Sequence, residues 1–324
     1  MKRVCSLAVV ACALFVLGWC PDLCAGATIA PAYSGDYTIT DLGPVGNIPD
    51  PYGGLNIVAG DTSTLLLGGS ANTSSGLFYT VPLIRGTGGH ITGFGSESVL
   101  GTAGAYNDGG LDYGPGGVLF YTRYPVNQVG EIKPGSTADD KIVDLAPLGI
   151  ASSTGALSFV PNGFGGAGHL KISSWQGGQW YDVTFASDGL GTYDLTGATY
   201  VDTFPGGPEG FIYVPHGSPL FPGDNLLMAE YSAGTVGAYQ VDSNGDPILA
   251  SRQDFILGLT GAEGAFIDPI TGDFLFSTFG TTADSLYEIQ GFVPPPAVPE
   301  PATLLLLGAG LAGLAGLSWR RHRE

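Results

Sequence analysis

The stretch "GFIYVPHGSPLFPGDNLLMAEYSAGTVGAYQVDSNGDPILASRQDF", Gly210 to Phe255, decides the fold. It holds four short runs rich in β-branched and aromatic residues: "GFIYVP", "LLMAEYSA", "VGAYQVD" and "ILASRQDF". Turn-forming Gly, Pro, Asn and Asp separate them, which is the pattern of consecutive antiparallel strands joined by hairpins. "SNGDP", Ser243 to Pro247, is read as one of those turns. "DSNGD", Asp242 to Asp246, lacks the distal glutamate that an EF-hand calcium loop requires.

The unit recurs along the chain. Gly54-Leu55, Gly110-Leu111, Gly163-Phe164, Gly210-Phe211 and the looser Gly264-Ala265-Phe266 open five similar segments spaced by roughly 50 residues. Four antiparallel strands in that length make one β-propeller blade. The expected fold is therefore all-β, a propeller of five four-stranded blades. A six-bladed count and a β-sandwich stand as alternatives. With 54 glycines and no sustained helical periodicity, the chain suits short strands and tight turns, and its apolar content of 44% is enough for a core.

The fifth unit offers only three strands, in "GAFIDP", "DFLFSTFG" and "LYEIQGF". "YTITDL", Tyr37 to Leu42, precedes the first unit and belongs to none. It is expected to supply the missing outer strand, closing the ring and covering an exposed sheet edge.

Both ends read as address labels. Lys2 and Arg3 precede an apolar stretch from Val4 to Trp19, closed by the small-residue site Ala25-Gly26-Ala27, the layout of a secretory signal peptide with its helix. Cys5, Cys12, Cys20 and Cys24 all lie upstream of Ala27. The exported chain then has no disulfide, thiol nucleophile or thiolate metal site. At the other end, Ala302 to Trp319 is an uncharged apolar segment long enough to span a bilayer as a helix, followed by Arg320, Arg321, His322 and Arg323. Basic residues there stay cytoplasmic, so the body faces the other side. The expected division is 1–27 signal peptide, 28–292 propeller body, 293–298 Pro-rich linker and 299–324 sorting signal.

Pro299-Glu300-Pro301, the apolar helix and the basic tail together resemble the PEP-CTERM sorting signal of Gram-negative bacteria. The resemblance covers only this C-terminal segment. It implies recognition of the Pro-Glu-Pro motif by exosortase, and a protein anchored in the inner membrane before processing. Afterwards such a protein is expected at the cell surface, in the outer envelope or outside the cell. Proteins of that class are linked to exopolysaccharide and biofilm.

The formal net charge is −18. Between Thr28 and Pro301 the only basic residues are Arg85, Arg123, Lys133, Lys141, Lys171 and Arg252. Nucleic acid and anionic lipid are thereby excluded as partners of the body.

No G-x-S-x-G elbow or H-E-x-x-H motif is present, and His90, His169 and His216 lie in different units. No catalytic residue is assigned. The expected function is non-enzymatic: an exported binding or scaffolding module, with exopolysaccharide as the candidate ligand. A metal-dependent lactonase-like or sugar-processing propeller and a purely structural matrix protein are the competing classes.

Two features point to a surface. The residues before the repeat glycines include Asn162, Glu209 and Glu263, which with Asp112 offer oxygen ligands for a hard cation such as Ca²⁺. This set resembles the metal-holding arrangement of gluconolactonase-like propellers, although those have six blades and a fuller ligand set. In "KISSWQGGQWYDVTF", Lys171 to Phe185, a two-residue turn at Gly177-Gly178 places Trp175 opposite Trp180, a candidate stacking platform for a sugar ring. Packing between blades is the competing reading of the two tryptophans.

Overall fold

Of the repeat glycines, Gly54, Gly110, Gly210 and Gly264 stand where the inner strand of one blade touches that of the next. The computed structural model describes residues 26–281 and 283–295, and in it a Cβ on Gly110 would lie 2.4 Å from the Leu157 nitrogen. A Cβ on Gly210 would lie 2.3 Å from the Glu263 carbonyl oxygen. A ring of only five blades brings the inner strands almost backbone to backbone, and the repeat glycine is what allows it.

The first blade runs Leu55–Val58, Asp61–Gly69, Leu77–Arg85 and Ile91–Phe94, with Ser98–Val99 also pairing to its third strand. The second comprises Asn107–Tyr113, Leu119–Arg123, Gln128–Ile132 and Lys141–Asp144. The third comprises Thr154–Phe159, Leu170–Ser174, Gln179–Ser187 and Tyr193–Thr203. In the fourth, Pro208–Tyr213, Asn225–Glu230, Thr235–Gln240 and Gln253–Leu257 are joined on the outside by Thr28–Ile29. The fifth has Ala262–Ile267, Phe274–Thr278 and Leu286–Gln290, completed by Thr38–Asp41.

The inner strands contact one another in sequence around the ring, and Ala262–Ile267 returns to Leu55–Val58. The fold is therefore an all-β, five-bladed propeller. Ring closure is made by "YTITDL": Thr38, Ile39, Thr40 and Asp41 pair antiparallel with Gln290, Ile289, Glu288 and Tyr287. Thr38–Asp41 and Leu286–Gln290 thus share one sheet, so the outer edge of Leu286–Gln290 is paired.

Blades bury both faces against their neighbours. Between the third and fourth, Trp180, Phe204, Phe211, Tyr213, Met228 and Tyr239 form one cluster. Tyr33 and Tyr37, ahead of the closure strand, pack with Phe221, Phe255 and Phe292.

Three expectations are corrected by the strand register. The third inner strand is Thr154–Phe159, so Gly155-Ala156-Leu157, not Gly163-Phe164, is its repeat position. Asn162 falls in the loop after that strand and is exposed. The Trp hairpin pairs Ser173 with Trp180 and Lys171 with Asp182, a slip of two residues from a Gly177-Gly178 turn. A slip of two keeps every side chain on its face but ends the opposition of Trp175 and Trp180. Trp180 is fully buried, packed against Phe211 with ring centroids 4.4 Å apart and planes tilted by 51°, and its Nε1 donates to Asp246 Oδ1 at 2.8 Å. It belongs to the inter-blade core and is withdrawn as a stacking residue.

Among the described residues no helix is long and apolar enough to cross a membrane. The expected signal helix, Ala25, the C-terminal membrane helix and Pro299-Glu300-Pro301 all lie outside the described residues.

Candidate functional site

Five inner strands present one equivalent position each at the entrance of the channel: Gly53, Gly109, Gly155, Glu209 and Glu263. Gly109 and Gly155 make room for the Glu209 side chain. A Cβ on Gly155 would lie 2.7 Å from Glu209 Oε2, and one on Gly109 would lie 3.1 Å from it. Asp108, next to Gly109, completes a group of three carboxylates, with one oxygen of each within 4.8 Å of the others. All three are buried, at 3% exposure for Asp108, 4% for Glu209 and 2% for Glu263.

Their hydrogen-bonding is incomplete. Glu209 Oε2 and Glu263 Oε1 are buried without a partner, as is Oδ1 of the neighbouring Asn72. Burial pushes the Asp108 carboxyl up to about 7. Glu209 is raised well above its ordinary value by burial and then by the charge of Asp108. Glu263 is raised likewise, by burial and then by Glu209 and Asp108. Three anions this close and this dry demand either protons or a cation.

Above the carboxylates the channel widens into a cavity of about 220 Å³, walled by Tyr124, Trp175, Tyr231 and Phe279. Each is the first residue after the second strand of its blade, in blades two to five. The rings form an edge-to-face chain. Tyr124 and Trp175 have centroids 6.2 Å apart, Trp175 and Tyr231 5.9 Å, and Tyr231 and Phe279 6.0 Å. Trp175 Nε1 donates to Ser232 Oγ at 3.0 Å.

A hydroxyl two residues before three of these rings ties the second strand to the inner ones. Thr122 Oγ1 accepts from Gly110 N at 2.9 Å and donates to the Gly155 carbonyl at 2.8 Å. Ser277 Oγ does the same for Gly264 N and the Gly53 carbonyl, at 2.9 and 2.7 Å. Ser173 Oγ accepts from Ala156 N at 3.0 Å. These bonds satisfy backbone groups at the bulges of three inner strands and so fix the carboxylates and the rim in one frame.

Of the residues singled out from sequence, Glu209, Glu263 and Trp175 line this one cavity. Asp112 does not. It lies four residues beyond Asp108 on the same strand, about 13 Å along an extended chain. Its carboxylate is occupied as an acceptor from Ser158 Oγ at 2.8 Å and Phe159 N at 2.9 Å. Asn162 is on a loop joining first and second strands, which emerges on the opposite face. Asp108, Asn72, Tyr124, Tyr231 and Phe279 were missed. The signal for the rim is present in "TRY" 122–124, "SSW" 173–175, "AEY" 229–231 and "STF" 277–279, an aromatic closing each second strand.

Residues 297–322 match the PEP-CTERM protein-sorting motif. That motif marks an exported protein, membrane-anchored before processing, with exosortase as its sorting partner. No curated protein matches the chain in sequence. Among solved structures, an auxiliary nutrient binding protein from Bacteroides ovatus is similar at 11% identity and a TM-score of 0.46, covering 82% of this chain and 68% of that one. XC5397 from Xanthomonas campestris, described as a gluconolactonase, is similar at 10% identity and a TM-score of 0.45, covering 85% and 86%. A luciferin-regenerating enzyme is similar at 8% identity and a TM-score of 0.45, covering 77% and 83%. Likeness at this level says nothing about what the chain binds.

Proposed function

We propose that the protein is an exosortase-sorted binding module of the cell envelope or extracellular matrix, whose channel mouth holds a calcium ion and, through it, a glycan such as exopolysaccharide. The observation that carries this reading is the unpartnered pair Glu209 Oε2 and Glu263 Oε1, buried beside Asp108 under an aromatic rim. Ca²⁺ takes six to eight oxygens, and Asp108, Glu209, Glu263 and Asn72 supply at least four. The positions left over face the cavity, where sugar hydroxyls can complete the shell while the apolar face of the ring lies against Trp175 and its neighbours.

A second reading uses the same residues for metal-dependent hydrolysis of a sugar lactone or ester. It is favoured by the open cavity over the three carboxylates, where a metal held by them would polarise the carbonyl of a bound ester. Glycan-array binding with Ca²⁺ and with chelator separates the two. Retention of an unaltered glycan only with Ca²⁺ supports the binding module, release of a cleaved product supports the hydrolase, and calcium-independent retention overturns both.

A further inference from the structure

A second cluster of metal-ligating side chains lies on the opposite face of the ring, at the seam where the fifth blade meets the first. His90 follows a short turn, Thr87–Gly89, between the third and fourth strands of blade one. Asp273 precedes the second strand of blade five, and Glu288 sits in its third strand. One ligand atom of each lies within 4.8 Å of the other two. Asp273 is 1% exposed and His90 35%.

The immediate surroundings orient this group. His90 Nδ1 is 2.7 Å from Asp273 Oδ2, which also accepts from Thr271 Oγ1 at 2.7 Å. Glu288 accepts from the Ile91 backbone N–H and from Gln290 Nε2, both at 2.9 Å. Each Glu288 oxygen keeps a lone pair beyond its one bond. Asp273 Oδ1 has no partner although it is buried. The cluster borders an open cleft of about 390 Å³ that also includes Asp36, Thr38 and Gln290.

We propose that His90, Asp273 and Glu288 form a binding site for a divalent transition metal of the Zn²⁺ type, which staples the ring closure. One imidazole nitrogen with two carboxylates matches zinc or a similar borderline ion, and the cleft leaves the fourth position to water. Calcium, with its demand for six or more oxygens, is a poor match. The hydrogen bonds from Thr271, Gln290 and Ile91 are the outer contacts that such ligands need. The staple joins residues about 180 positions apart in sequence. Glu288 pairs directly with Thr40 of the closure strand. A metal there therefore ties blade one to the sheet closed by Thr38–Asp41. This site is independent of the calcium reading at the channel mouth.

The test is zinc titration of the full-length protein and of His90→Ala, Glu288→Gln, His169→Ala and Glu209→Gln/Glu263→Gln, read by calorimetry, melting temperature and Co²⁺ absorption. His169 and His216 serve as the comparison, since each faces a single aspartate, Asp182 at 2.9 Å and Asp224 at 2.6 Å. The expected result is one zinc per chain, a rise in melting temperature, and slower hydrogen exchange in Thr38–Asp41. His90→Ala and Glu288→Gln each weaken zinc binding by about tenfold or more, while the other two variants keep it. Absence of zinc binding, or a zinc response that survives in both His90→Ala and Glu288→Gln, overturns the site. If His90→Ala lowers stability but zinc leaves the parent protein unchanged, His90–Asp273 is an ion pair only and the proposal fails.

Discussion

Trp175 and Tyr231 occupy the same position in neighbouring blades, and their rings meet at 88° with centroids 5.9 Å apart. Trp180, five residues on from Trp175, is fully buried between blades. The hairpin thus separates a rim residue from a core residue. Trp175→Ala should leave the melting temperature nearly unchanged and weaken glycan binding by ~1–3 kcal/mol, the loss of one aromatic contact and its buried area. Trp180→Ala should cost ~3–5 kcal/mol of stability. It vacates a packed site and removes one of the two side-chain partners of Asp246, the other being Lys171. Thermal melts with binding curves on the folded fraction check both.

The channel carboxylates give stability a pH slope of known sign. Burial raises Asp108 from 3.8 to about 7, so the folded state binds more protons than the unfolded one between those values. The stabilisation is fully present below about pH 4 and is lost as pH rises through about 7. Up to ~4 kcal/mol is involved for this group. Glu209 and Glu263 act in the same direction. Without divalent cations the melting temperature should fall from pH 5 to pH 8. Glu209→Gln/Glu263→Gln should flatten that fall and be the more stable protein at pH 8. Melts in chelator across this range provide the check.

Much of the architecture was legible because it is repetitive. Glycine before an apolar residue recurs for a steric reason, the contact between inner strands, so counting it gave five blades and exposed the missing fourth strand of the last blade that "YTITDL" supplies. The third unit misled because Ala156 fills the glycine position there, and Gly163-Phe164 mimics it seven residues later in a loop. That error displaced Asn162. Asp112 was misplaced for another reason: four residues along a strand carry a side chain far down the channel, and proximity in sequence conceals this. Inter-blade burial of Trp180 was legible as the competing reading, while polar neighbours such as Lys171 and Asp182 on its face left the stacking platform open. Lys171 is itself buried, paired with Asp246 at 2.7 Å.

The closure strand makes a second kind of prediction. Deleting Tyr37 to Leu42 removes the ladder from Thr38–Asp41 to Leu286–Gln290 and the Tyr37 ring from the cluster with Phe255 and Phe292. The deletion should aggregate, because it bares a strand edge beside an apolar face. Size-exclusion chromatography with light scattering reads the outcome. A monomer with unchanged melting would contradict the ring closure.

Sorting predicts a particular mass. The exported form should begin near Thr28 and lack the apolar segment from Leu304 onward, because the signals at both ends are removed. Intact-mass spectrometry of protein from cells with and without active exosortase distinguishes the forms. Retention of Leu304 to Glu324 in the presence of exosortase would mean a permanent anchor.

Calcium binding at the channel mouth is tested by calorimetric titration of Ca²⁺ into the parent protein and into Glu209→Gln/Glu263→Gln. The predicted result is one Ca²⁺ per parent chain with Kd on the order of 0.1–1 mM, the range of extracellular modules. Stabilisation should reach ~2.7 kcal/mol at a hundredfold excess over Kd. The double variant should show neither heat nor stabilisation. Calcium binding of equal strength in the variant, or none in the parent, would contradict the claim.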